Sequence, residues 1–148
     1  MKVINFYSRL TLLIISIILI SCNSSKKVAS QKIETENYFI IGSGGGFTGI
    51  YTQYKVNDSG LIESYDFENN TYHQYKSANK NQVDGFFNQI IALDLSNTDY
   101  SIPGNISDYI DVLNADQTIN HIVWANETND FNPEIIKFHK NVMQFIKE

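Results

Sequence analysis

Hydrophobic positions fall into two regimes along this chain. From Tyr38 to Lys76 they alternate or form short runs. Tyr38–Ile41 is a brief apolar run, and Thr48–Val56 alternates, with Ile50, Tyr54 and Val56 on one side and Tyr51, Gln53 and Lys55 on the other. Asn57-Asp58-Ser59-Gly60 is a turn by composition, Leu61–Phe67 returns, Glu68-Asn69-Asn70 turns again, and Thr71–Lys76 closes a meander. The spacing then changes. Val83, Phe86, Phe87, Ile90 and Ile91 recur at helical intervals, with Asn79 as N-cap and Gln82 completing a capping box. After a polar loop over Asp94–Ser107, two more strands are predicted, Asp108–Asn114 and Thr118–Ala125. A last helix opens at Asn132-Pro133 and shows Ile135, Phe138, Val142, Phe145 and Ile146 on one side. The order ββββαββα predicts an α+β domain over residues 38–148. Its antiparallel sheet of five to six strands is packed on one face by two helices.

Residues 1–37 follow neither regime. Lys2 and Arg9 precede an apolar stretch from Leu10 to Ile20, which ends in Ser21-Cys22, and Cys22 is the only cysteine. That stretch is about a dozen residues, short of the roughly twenty that span a bilayer. Its basic, apolar and small-residue order resembles a bacterial lipoprotein signal, 1–21, cut before Cys22. The resemblance implies that Cys22 is lipidated and anchors the protein in the membrane, each buried CH₂ contributing about 0.8 kcal/mol. Asn23–Asn37 is polar and aperiodic, and with Cys22 it reads as a lipidated tether (22–37) reaching at most roughly 50 Å. No acidic cluster follows Cys22, unlike the export signals of surface-exposed lipoproteins, and position 23 is Asn rather than the Asp of an inner-membrane retention signal, so the resemblance implies an outer-membrane anchor with the domain facing the periplasm.

Removing the signal takes Lys2 and Arg9 away and leaves nine basic and sixteen acidic side chains, a net charge of −7. Such a surface does not suit nucleic acid. With the one thiol lipidated, neither a disulfide nor a thiolate metal site is expected.

The strongest local feature of the mature chain is Gly42-Ser43-Gly44-Gly45-Gly46-Phe47-Thr48-Gly49. Gly44, Gly46 and Gly49 fit GxGxxG, but a strand follows them instead of the helix whose amides would meet a pyrophosphate, and no Gly-Lys-Ser/Thr ending is present. Nucleotide binding is therefore not expected. Two readings remain. Gly44, Gly45, Gly46, Phe47, Thr48 and Gly49 form a bare contact loop with Phe47 as its one large apolar group, or they make a tight connection with Phe47 folded inward.

A short strand, Gly45-Gly46-Phe47-Thr48-Gly49 and a long strand resemble the opening of the emfourin-like proteins. Those are small bacterial inhibitors of thermolysin-type metalloproteases. The later order is also similar: a helix, Asp108-Tyr109 at the start of a strand, a hairpin, and a closing helix with Ile135, Phe138 and Val142. The resemblance covers nearly all of Tyr38–Glu148, though only the GGFxG core is distinctive. This chain departs from it by its lipid anchor and by extra residues around Ser64–Tyr75 and Asp94–Asn105. It implies a membrane-anchored, non-catalytic module that binds a protein, an envelope protease among the candidates. The alternative is an envelope lipoprotein of structural or protective role with no protease target.

Other chemistry is sparse. His73, His121 and His139 lie on separate elements without metal-site spacing, and His121 (sharing a strand face with Ile119 and Val123) and His139 (beside Ile135 and Val142) read as core-edge packing. Asp108, Asp111 and Asp116 gather at one hairpin and Asp94 and Asp99 in one loop, but neither set has the pattern of a calcium loop. Glu63 and Asp66 are the nearest approach to an acid/base pair, and no GxSxG marks a nucleophile. No catalytic residue, metal or cofactor is expected. Tyr51, Tyr65, Tyr72 and Tyr75 are candidates for an exposed aromatic strip on the meander, or for ordinary half-buried sheet positions.

Overall fold

The computed structural model describes residues 37–46, 49–114 and 117–148, with the side chains of 114–119 excepted. The elements are β1 (Tyr38–Gly45), β2 (Ile50–Asn57), β3 (Leu61–Asp66), β4 (Thr71–Ser77), α1 (Lys80–Ala92), β5 (Ser101–Ile102), β6 (Ile106–Asn114), β7 (Gln117–Ala125) and α2 (Pro133–Lys147). Seven strands form one sheet in the order β4-β3-β2-β1-β6-β7-β5. All neighbours are antiparallel except β5, which runs parallel to β7. The fold is α+β, with one strand more than the sequence pattern predicts.

The extra strand is β5, inside the segment read as a polar loop. It makes only two ladder pairs, Ser101 with Val123 and Ile102 with Trp124. β1 also differs from expectation. It does not stop at Ile41 but continues through Gly45, because β2 and β6 pair with it on both sides along its whole length. Half of the predicted glycine loop is thus the end of the central strand.

Alternation decides which residues face the helices. Phe39 and Ile41 of β1, Tyr54 and Val56 of β2, Ile62 of β3, Ile110 and Val112 of β6, and Ile122 and Trp124 of β7 are buried on that side. Val83 and Ile90 of α1 and Ile135, Phe138, Val142 and Ile146 of α2 meet them. Rings join the layers: Phe39 packs edge-on to Phe87 at 5.4 Å and lies 6.2 Å from Phe138. Within the same core, Trp124 stacks on Phe131 at 5.0 Å, and Phe131 contacts Tyr100 at 4.2 Å. Two apolar residues leave the pattern. Ile50, on the Tyr54 and Val56 side by alternation, is 68% exposed at the start of β2, and Ile91 is exposed on α1.

Local chemistry sets the helix ends. Asn79 Oδ1 accepts from Asn81 N (2.9 Å), and Asn132 Oδ1 from Glu134 N (3.0 Å) ahead of Pro133. Among the described residues the Gln82 side chain does not return a bond to Asn79, so α1 has an N-cap without the reciprocal half of the box. A bulge at Ile62/Glu63 puts Lys76 on the helix side. There its Nζ donates to the Phe145 carbonyl (2.7 Å) in the last turn of α2, where a cation complements the helix dipole. Among the described residues no helix is long and apolar enough to cross a membrane.

Candidate functional site

Both helices cover one side of the sheet, and among the described residues no element covers the other. On the open side β1 presents Tyr38, Ile40, Gly42 and Gly44 in succession. The two glycines have a spatial purpose. Gly42 lies opposite Gln53 of β2 and Tyr109 of β6, and a Cβ there would sit 2.3 Å from the Tyr109 hydroxyl and 2.6 Å from the Thr52 carbonyl. Gly44 lies opposite Tyr51, and its Cβ would fall 2.0 Å from a ring carbon of that tyrosine. Bare backbone lets the two rings fold across the central strand.

The clearance over Gly42 permits a polar relay. Tyr109 Oη donates to Gln53 Oε1 (2.8 Å), and Gln53 Nε2 donates to Tyr72 Oη (2.5 Å). Burial, aided by the nearby Asp111 carboxylate, pushes the Tyr109 phenol well above its usual range, so it stays a protonated donor. Tyr72 is also raised, chiefly by burial.

Aromatic groups surround this relay. Tyr65 contacts Tyr72 and Phe67, each at 4.8 Å, and Phe67 contacts Tyr51 at 5.5 Å. The expected strip of Tyr51, Tyr65, Tyr72 and Tyr75 is therefore three-quarters present. Tyr75 is not in it, because residues three apart in a strand face opposite sides, and it packs on Tyr54 instead (5.3 Å). Phe67 takes the fourth place from the β3–β4 turn. Asp66 fixes that turn by accepting from Glu68 N (2.8 Å) and Asn69 N (3.1 Å), while its other oxygen accepts from Asn69 Nδ2 (2.8 Å). Those bonds, the Asn69 side chain first, hold the Asp66 carboxyl below its usual range.

A cleft of about 640 Å³ opens beside the aromatic group. Gly44, Gln53 and Tyr109 line it together with Tyr51 and Phe67, and Gly104 and Asn105 with Asp111 and His121 complete the lining. The Gly104–Asn105 wall is tied to the glycine turn by Gly46 N donating to Asn105 O (2.5 Å), and Ser107 Oγ accepts from Gly104 N (3.1 Å). The sequence pattern puts His121 at the core edge, but Ile122 and Trp124 point inward and His121 lies on the open face. It is half exposed there and its Nδ1 contacts Asp111 Oδ1.

Of the predicted loop residues, Gly44, Gly45 and Gly46 line this cleft, and Gly49 lies at its hairpin end with φ +62°. Gly45 (φ +111°) and Gly46 (φ +77°) turn the chain out of β1. Phe47 and Thr48 lie outside the described residues, as does Cys22 with the whole of 1–36. The clearance role of Gly42 and Gly44 was missed from the sequence, although two glycines spaced by two on one strand face were its signal.

On the helix side, a second cavity of about 500 Å³ brings Ser43, Asp108 and His139 together, a composition seen in acyl-transfer triads. The wiring is reversed. His139 Nε2 donates to the Gly42 carbonyl (2.9 Å) and so holds the proton that a triad needs on Nδ1, while Nδ1 lies 3.9 Å from Asp108, beyond hydrogen-bond reach. Here His139 clamps α2 to β1. Burial lowers its pKa from 6.5, with Asp108 and the Gly42 bond opposing the shift and Lys147 and Lys140 adding to it. The unfolded chain then binds the proton first, so stability falls as pH drops below about 6.5, by up to about 1.4 kcal/mol per unit. Urea midpoints between pH 7.5 and 5.5 should show this fall, and His139→Gln should flatten it. A slope unchanged in the variant would assign the effect elsewhere.

Among the described residues no group of three or more His, Asp or Glu side chains is arranged to hold a metal ion. Compared with known protein families and with curated proteins, the chain matches none.

Proposed function

We propose that this chain is a lipid-anchored bacterial envelope protein whose domain is a non-catalytic protein-binding module. The open sheet face and the adjoining Gly44–Gly49 hairpin end are its contact surface. The observation that carries this reading is the segregation of the two faces. Both helices seal one, while Tyr51, Tyr65, Phe67, Tyr72 and Tyr109 gather on the other beside a cleft. Tyrosines of this kind combine apolar area with a polar tip and few rotatable bonds, which favours protein recognition. The Tyr109–Gln53–Tyr72 relay holds part of the surface in place before contact, and such preorganisation reduces what binding loses in side-chain entropy.

The partner class follows from the emfourin-like order of elements around Gly45-Gly46-Phe47-Thr48-Gly49: a thermolysin-type metalloprotease of the envelope, blocked by occupation of its cleft. The full chain in detergent micelles, titrated into such a protease, should abolish hydrolysis of a small substrate at a one-to-one ratio. Digestion of the chain, or no effect, would reject the inhibitor role and leave the structural or protective one. The anchor is tested separately. Cells fed labelled palmitate should label the wild-type chain and not Cys22→Ser, and only the wild type should sediment with membranes. Equal labelling of both would dismiss Cys22 as the attachment point.

A further inference from the structure

The cleft on the open face has a definite charge character. Its lining includes the Tyr51, Phe67 and Tyr109 rings and the Asp111 carboxylate and, among the described residues, no lysine or arginine. From Tyr38 to Glu148 the chain holds six lysines, no arginine and fourteen carboxylates, so the surrounding field is negative as well. Asp111 contacts the half-exposed His121 through Oδ1, and no other described side chain bonds to that carboxylate.

The same sheet face already contains a filled version of this arrangement. Lys55 on β2 pairs with Glu63 at 2.6 Å while its ammonium lies 4.6 Å from the centre of the Tyr72 ring and 5.6 Å from that of Tyr38. A cation there is held between aromatic rings and one carboxylate, the combination in which ring quadrupole and ion pair act together. Across the glycine strand, Asp111 with Tyr109, Tyr51 and Phe67 repeats the carboxylate and the rings, with the His121 imidazole on one carboxylate oxygen in place of a lysine.

We infer that this cleft receives a basic side chain of the partner protein, an arginine guanidinium above all. This rests on the reading of the open face as the contact surface and names the chemistry it selects. A guanidinium suits the site better than an ammonium. It is planar and stacks on a ring while its fork of N–H donors engages a carboxylate. Phosphorylated or carboxylate-rich ligands are disfavoured by Asp111, with no lysine or arginine among the described lining residues to offset it.

The test is a titration of the isotope-labelled full chain in micelles with a blocked Gly-Arg-Gly peptide, followed by NMR. The comparison peptide carries citrulline, which keeps the shape and removes the charge. Signals of the His121 and Tyr109 rings and of the Gly44 and Gly104 amides should shift saturably with the arginine peptide, and the citrulline peptide should bind at least about tenfold more weakly. Asp111→Asn should weaken arginine binding by a similar factor. Asp84→Asn, which removes an equal charge from α1 on the far side of the sheet, should change it less than about twofold. Equal binding of both peptides, shifts mapping elsewhere, or equal losses in the two variants would overturn the inference. Should Asp111→Asn fail to fold, the two peptides on the wild-type chain decide the matter. A chain that inhibits the protease yet ignores the arginine peptide defeats this inference alone, and one that binds the peptide without inhibiting defeats only the protease assignment.

Discussion

Replacing Phe39 with alanine is expected to lower the unfolding free energy by about 3–5 kcal/mol, the range for truncating a buried aromatic side chain. Domains of this kind hold about 5–15 kcal/mol in total, so the variant should sit close to the unfolding threshold at 25 °C. The size of the effect comes from position. Phe39 lies on the central strand, is fully buried, and touches both helices through Phe87 and Phe138. The hole cannot close by moving one neighbour, because each is held by a different element. Urea unfolding followed by far-UV circular dichroism measures the change. A loss under about 1.5 kcal/mol would show that the two helices do not converge on β1 as described.

The second large effect is expected at Gly42, from adding a single methyl group. Gly42→Ala should destabilise by about 2–3 kcal/mol, near the upper end for overpacking. The new Cβ meets the Tyr109 hydroxyl, which can swing away, but also the Thr52 carbonyl at 2.6 Å, which belongs to the β2 backbone and cannot. Displacing Tyr109 would also break its bond to Gln53 and loosen the relay to Tyr72. Gly44→Ala makes the instructive contrast. Its nearest contacts are all in the Tyr51 side chain, so the ring should lift away at a smaller loss of stability while the contact surface changes shape. A pair of variants with equal stabilities would contradict the close approach of backbone at Gly42.

The sequence made most of the sheet and both helices readable because their burial signals are local. β2 alternates, β3 and β4 are bounded by turn residues, and Phe138, Val142, Phe145 and Ile146 follow the helical period. The failures have non-local causes. β5 is two residues beside Pro103-Gly104, and its only support is parallel pairing with a strand more than twenty positions later. β1 reads as ending at Ile41 because glycine carries no strand signal, yet pairing on both sides overrides the propensity of Gly42, Gly44 and Gly45. At the candidate site the aromatic strip was legible as composition, but its membership was not. Counting parity would have removed Tyr75, whereas Phe67 enters from a turn that has no parity. For His121 the parity with Val123 was correct and the assigned face was wrong, since Ile122 and Trp124 are the inward pair. The burial of His139 follows from its place among Ile135, Phe138 and Val142, but nothing local announces that its partner is the Gly42 carbonyl, 97 positions earlier.

The middle strand of the sheet is the first to leave the ribosome. β2, β3 and β4 can add to it as soon as they are made, but its opposite edge waits for β6, whose Ile110 pairs with Ile41. Until then the nascent meander has an open row of amides and carbonyls and a Phe39–Ile41 ridge covered by α1 alone, since α2 is translated last. Such a chain cannot complete its core until β6 and α2 have been made, so native packing is a late event in its synthesis. The same delay makes any product truncated before β6 a sticky fragment prone to self-association.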